Sequence, residues 1–199
     1  MHVLYASAGY GGVLFGIGST VVQYQRVRRE GIAGVSLATW TLFVLSSAFW
    51  MTYGAVAHSA QIILGSLLVW PMQLYIVGRL SPLRHLATVA KSALFLGLFA
   101  VAPIGFWGWS GGIYGMGIAM TIMRLPQIIE LIQVRHAEGV SAGAWYAGVV
   151  CSLLWLVYYV GAHLWAPFIA TAGAGLASLM VAVLATIRHA QARAELVSA

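Results

Sequence analysis

Seven times along this chain, apolar residues run on without interruption for about the length of one bilayer crossing. A helix needs roughly 20 mainly apolar residues to span a hydrocarbon core about 30 Å thick. The runs cover residues 5–24, 37–57, 61–78, 86–107, 111–132, 142–163 and 167–187. Their continuity selects helices over a β-barrel, whose strands alternate apolar and polar residues over roughly 10 positions. Only 7% of the 199 residues are charged, against about a quarter in a soluble domain. The expected fold is therefore all-α and integral to a membrane, with seven transmembrane helices and no room for an extramembrane domain.

The ten basic residues set the orientation. Arg26, Arg28, Arg29, Arg79, Arg84, Lys91, Arg124, Arg135, Arg188 and Arg193 all fall in or near alternate loops and the C-terminal tail. Basic loops stay cytoplasmic during insertion, which predicts an outside N-terminus and a cytoplasmic C-terminus. The net charge of +6 is accounted for by topology and by attraction to anionic lipid headgroups, not by nucleic-acid binding. The first run has no basic residue before it, so it is expected to remain as a helix and not to be cleaved as a signal. Cys151, the single cysteine, lies inside the sixth run and has no intramolecular partner.

The chain also repeats itself. Shifted by 105 positions, residues 34–58 match residues 139–163 at ten places. Among them are Gly34/Gly139, Ser36/Ser141, Trp40/Trp145, Ser47/Ser152, Trp50/Trp155, Tyr53/Tyr158 and His58/His163. Upstream, a shift of 104 matches Tyr10/Tyr114, Gly11/Gly115 and Gln23/Gln127. Tryptophan and histidine are too uncommon for three such matches in register to follow from composition. Three helices are thus copied on either side of a solitary fourth. One odd crossing between the copies gives both the same orientation, a 3+1+3 parallel repeat about an axis along the membrane normal. The expected division is residues 5–80 for the first triple-helix repeat, 84–109 for the linker helix, 110–188 for the second repeat and 189–199 for a cytoplasmic tail.

The second copy opens on Arg124-Leu125-Pro126-Gln127, continues through a basic loop, and reaches Glu138-Gly139-Val140-Ser141. A proline near a helix end removes a backbone hydrogen bond and makes a kink. Whether Pro126 is a working hinge or an ordinary kink is open from sequence. Gln127 is placed to bond the carbonyls so freed or a neighbouring helix.

With RLPQIIELIQVRHAEGVS and WLVYY in the second copy, and VVQYQRVRREGIAGVS and WMTYG in the first, the chain resembles the SWEET/PQ-loop superfamily of small transporters. The resemblance covers both repeats. It implies a solute carrier with a central pocket between two three-helix bundles, opened alternately to each side. It further implies that Trp50 and Trp155 line that pocket, that Ser66 and Thr171 stand where similar sugar carriers place asparagine, and that Pro126-Gln127, with Gln23 in the first copy, forms an inner hinge. The chain departs from the pattern in three ways. Val22 occupies the first copy's proline position, helices two and six lack the family's second proline, and the sequence holds no asparagine.

Ser47 and Ser152 lie one turn before the paired tryptophans and are candidates for pocket hydroxyls or for helix packing. Glu130 is the one acid inside a run; it reads as a snorkelling group at the boundary or as a partner of Arg124 or another cytoplasmic arginine that closes an inner gate. Trp40, Trp145, Trp107, Trp109 and Trp165 read as interfacial anchors. His58 and His163 occupy matched external turns and read as inert loop histidines or as pH sensors. No catalytic, metal or cofactor constellation is present in the sequence, and with no aspartate proton coupling is disfavoured. The expected function is facilitated diffusion of a small polar solute, with sugar favoured by resemblance, in a prokaryotic plasma membrane. An amino-acid or metabolite carrier and a non-transporting receptor are the rival readings, and self-association is left open.

Overall fold

The computed structural model describes residues 2–58, 60–134, 136–161, 163 and 165–198; Arg135 lies outside them. Among the described residues all regular structure is helical. The α-helices are α1 (His2–Glu30), α2 (Leu37–Val56), α3 (Ala60–Arg79), α4 (Leu86–Leu96), α5 (Ala102–Ile122), α6 (Leu125–Gln133), α7 (Ala142–Gly161) and α8 (Trp165–Ser198). Four segments are long and apolar enough to cross a membrane: Ile62–Arg79, Leu86–Gln133, Ala142–Gly161 and Phe168–Glu195. The chain is a multi-pass helical membrane protein.

Its side chains are distributed inside-out. Leu14, Leu98, Phe106, Ile169 and Leu176 are exposed on the perimeter, while Gln23, Gln73, Gln127, Thr39, Ser46 and Ser47 are buried. An apolar surface of this extent is stable only against lipid. The same pattern explains why α2 falls below the hydropathy of the four segments: its polar residues Thr39, Thr41, Ser46 and Ser47 all face inward.

Three helix boundaries differ from the sequence-based expectation. α1 continues to Glu30 instead of ending at residue 24, because Arg28 and Arg29 in its last turn complement the helix dipole. The expected fifth helix, 111–132, is broken at Met123 and Arg124 into α5 and α6, with Pro126 in the first turn of α6. Proline has no N–H to return to the preceding turn, so the break falls just upstream of it. α8 continues beyond residue 187 to Ser198, through the expected tail. There the Arg188 guanidinium donates to the carbonyls of Leu131 (2.8 Å) and Ile132 (2.7 Å) at the end of α6. Those carbonyls are the orphan acceptors that any helix leaves at its C-terminus.

The Leu86–Gln133 segment folds back on itself. Gly108 takes φ 63°, ψ −162°, a conformation that favours glycine, and the chain reverses there. Gly111 consequently lies against Pro103, Gly112 against Ile104, and Gly115 against the Phe99 carbonyl. Just before the reversal, residues Gly97–Val101 widen into a π turn. Pro103 cannot donate to the Phe99 carbonyl, which removes one rung of the α ladder at that place.

α3 lies against α1 and α2, and α8 lies against α5, α6 and α7, while α4 rests on α2. The most extensive contact between the two groups is α1 with α7.

A methyl group added at Gly115 would overlap the Phe99 carbonyl, whereas one at Gly78 meets nothing within 4 Å. Gly115→Val is therefore expected to destabilise the fold by ~1–3 kcal/mol, read as a drop of several degrees in detergent thermal unfolding. Gly78→Ala should leave the transition unchanged or raise it slightly. Equal transitions for both variants would remove the hairpin packing described above.

Candidate functional site

At the end of the bundle that carries Arg26, Glu138 and Arg188, the two copies exchange side chains. Gln23 of α1 reaches the second copy's loop, its Nε2 donating to the Gly139 carbonyl (2.6 Å) and its Oε1 accepting from the Ser141 N–H (2.8 Å). Gln127 of α6 does the same to the first copy's loop, donating to the Gly34 carbonyl (2.6 Å) and accepting from the Ser36 N–H (2.9 Å). The two loops also touch directly, the Gly139 N–H donating to the Ala33 carbonyl (3.1 Å). Both glutamines are almost fully buried. Each amide satisfies one donor and one acceptor of a backbone that has no water to bond.

The glycines of these loops are there for proximity. A Cβ on Gly139 would lie 2.5 Å from the Gly31 carbonyl, and one on Gly34 would lie 2.9 Å from the Ala137 Cα. Gly34 in addition takes φ 75°. Ser36 and Ser141 then accept from the Thr39 and Ala144 N–H groups, starting α2 and α7 in matched fashion. Around the exchange, Val35, Trp40, Val140 and Trp145 are buried in one apolar cluster. The expectation that Trp40 and Trp145 anchor in the interface is therefore corrected: both are packed in the core.

The two seams between the copies are unequal. On the α1–α7 seam, Gly9, Gly12 and Gly16 face Tyr158, Trp155 and Cys151. The Cys151 thiol donates to the Gly12 carbonyl (3.1 Å). In the second copy Met116 and Met120 stand at the positions related to Gly12 and Gly16 by the 104-residue shift. Met116 is buried in a second cluster with Leu42, Phe49 and Ala119, and the Ser46 hydroxyl approaches its sulfur (3.9 Å). Glycine lets backbones approach closely, and methionine holds them apart.

Trp50 and Trp155 accordingly have different surroundings. Trp50 packs on Phe49 and Tyr53, which in turn meet Trp109. Trp155 stacks on Tyr159 (5.6 Å, 24°). Among the described rings the two indoles make no contact with each other. Thr171 stands on α8, which packs on the α7 that carries Trp155, and Ser66 is half-buried on α3. Ser47 donates to Gln73 of α3 (2.8 Å), and Ser152 donates to the Gly148 carbonyl (3.0 Å) and lies against Gly175 of α8. Both serines are occupied in helix packing.

Arg124 lies at the break between α5 and α6. Its Nε donates to the Ser178 hydroxyl on α8 (2.8 Å), its Nη1 donates to the Met120 carbonyl, and its guanidinium sits 5.6 Å over the Phe43 ring. It does not pair with Glu130, which is half-buried and has no ion-pair partner among the described residues. Arg26 pairs with Glu30 and donates to the Glu138 carbonyl (2.7 Å). His58 and His163 both take positive φ, 50° and 56°, ending α2 and α7. Their match in the repeat is a match of helix stops. Trp70 donates to the Val44 carbonyl, joining α3 to α2 (3.2 Å).

Sequence reasoning singled out Gln23, Gln127, Trp50 and Trp155. It passed over Tyr159, Met116, Ser178 and Gln73, none of which repeats its own residue type in the other copy. The Met116/Gly12 mismatch was readable once the copies were aligned at 104. The class these features define is a multi-pass helical membrane protein in which two loops are latched by exchanged glutamines. No family model, curated protein or solved structure matches the chain.

Replacing a glutamine by leucine leaves two backbone groups buried without partners, at ~1–3 kcal/mol each. Gln127→Leu and Gln23→Leu are each expected to lower the thermal transition by several degrees. Because the loops touch through Gly139 and Ala33, the double variant should lose less than the sum of the two. Strict additivity would mean that the halves are latched independently.

Proposed function

We propose that this protein is a facilitative carrier for a small polar solute, built as seven transmembrane helices in a 3+1+3 parallel repeat and working by alternating access. In this reading α1–α3 and α5–α8 are the two bundles, with α5 and α6 together making one crossing kinked at Pro126. α4, with residues 102–107, is the linker crossing. The Arg residues near the exchanged glutamines, Arg26 and Arg188 among them, favour that end as cytoplasmic and the His58/His163 end as external.

The observation that carries the proposal is the reciprocal glutamine latch. Each half holds the other's loop by two hydrogen bonds, so separating the halves at that end breaks all four together. At roughly 1 kcal/mol net each, such a latch is firm enough to close a gate and weak enough to open. The kink before Pro126 supplies a place to bend, and the unbroken α1, with Val22 in the corresponding position, supplies a rigid counterpart. Resemblance to SWEET and PQ-loop transporters favours a sugar. An amino acid or another metabolite fits the same architecture. A receptor of this fold would share the latch but move no solute.

Counterflow of labelled solute in proteoliposomes is the expected outcome for a carrier, and its absence for every solute that binds would leave the receptor reading. Trp155→Ala removes the aromatic wall between α7 and α1 and should reduce flux at least tenfold, on the scale of a lost stacking contact of ~1.5 kcal/mol. Unchanged uptake would take Trp155 out of the pathway.

A further inference from the structure

Arg124 is a cation held at the break between α5 and α6, partly buried against α2 and α8. Its described partners are a hydroxyl, a carbonyl and an aromatic ring. None of them carries a compensating charge, and among the described residues no carboxylate pairs with it. A guanidinium offers five N–H donors. The described bonds use the Nε–H and one on Nη1, which leaves an edge of the fork open.

The guanidinium is bracketed by Phe43 of α2 from one half and Ser178 of α8 from the other. It also lies within electrostatic range of Cys151 on α7. One turn along the same face of α7 stands Trp155, which stacks on Tyr159 a further turn on. A line of polar and aromatic residues at helical spacing, Cys151, Trp155 and Tyr159, thus runs along α7, which packs on the α8 that carries Ser178. The first half has no such line. At the positions related by the repeat stand Thr20 for Arg124, Ser46 for Cys151 and Gly54 for Tyr159. Thr20 bonds the Gly16 carbonyl of its own helix.

We propose that Arg124 is an anion-selecting residue, and that the central pathway takes small solutes bearing an oxyanion, a carboxylate or a phosphate, against the open edge of its guanidinium. A planar fork of donors matches such groups in a bidentate way. Intramembrane cations lacking a protein counterion mark the passage of their partners. This assignment rests on the carrier reading for the existence of the pathway, and it turns an otherwise generic polar solute into a charged one.

The single cysteine supplies the probe, because Cys151 lies one turn before Trp155 on α7, is partly exposed, and no other thiol competes. Membrane vesicles holding the full chain are treated with a methanethiosulfonate bearing a sulfonate and, separately, with its trimethylammonium counterpart. In the wild type the anionic reagent should label Cys151 faster by about tenfold or more, the scale of electrostatic focusing in a narrow path. Arg124→Gln should bring the ratio of rates close to one, and Arg124→Lys should keep it well above one. Any change in thiol reactivity itself affects both reagents and cancels in the ratio.

A second measurement needs no variant. Lactate or inorganic phosphate should slow labelling of the wild-type protein saturably, and uncharged lactamide should not. Equal rates for the two reagents, a ratio unmoved by Arg124→Gln, or protection by lactamide as strong as by lactate would overturn the anion assignment alone. No labelling by either reagent would instead overturn the pathway on which it stands.

Discussion

Backbone polar groups in the loops that join the helices are the constraint on which this structure turns. The segments around Gly34–Ser36 and Gly139–Ser141 are irregular, buried and tightly apposed, so their N–H and C=O groups find neither a helix ladder nor water. Unsatisfied, each would cost several kcal/mol in a low-dielectric setting. Gln23 and Gln127 meet that demand with one amide per loop. Glutamine suits the task because it carries a donor and an acceptor on one rigid plane at the end of a long stem. Glycine at 34 and 139 is required for the same reason, since only without a Cβ do the loops approach closely enough to be reached. Fold, latch and close approach are one arrangement seen at three scales.

The two halves share this latch but not their interiors. Glycines on α1 admit Trp155 and Tyr158 of α7 into contact with its backbone, whereas Met116 and Met120 fill the related seam against α2. Arg124 and Ser178 take positions that Thr20 and Gln73 hold in the first half, and Gln73 is committed to Ser47. Duplication preserves what holds the halves together and releases what faces the space between them. The polar and aromatic residues that break the symmetry are therefore concentrated on one side, along α7 and α8.

How much of this was legible in the sequence depends on the kind of residue. Identity at fixed offset exposed the latch, because Gln23 and Gln127 do the same work in both copies and kept the same side chain. Apolar runs placed the helices to within a few residues, but not their ends: Arg28, Arg29 and Arg188 extend α1 and α8 through charge–dipole and capping contacts that hydropathy does not register. The π turn before Pro103 and the reversal at Gly108 were hidden in one long apolar stretch. The matched histidines misled in the other direction. Their side chains are exposed, and what repeats is the backbone conformation of a helix stop. Trp40 and Trp145 likewise looked like interfacial anchors by depth, yet the loops fold over them and bury both.

Proline stands at the latch end in one copy only, Pro126 against Val22, and this has a consequence that a symmetric pair would not have. If the halves rock as proposed, bending at the latch end is confined to the crossing made by α5 and α6, since α1 runs unbroken from His2 to Glu30. Arg124 sits in that bend, tied by Nη1 to the turn before it and by Nε to α8. Opening the kink moves the guanidinium relative to Ser178 and Phe43 at the same moment that Gln127 draws away from Gly34. A solute held by Arg124 would then be released by the motion that unlatches the gate. Coupling of this kind needs no proton and no second hinge; it needs only that the bend and the binding group occupy consecutive turns of one helix. The order Met120, Arg124, Pro126, Gln127 provides that spacing.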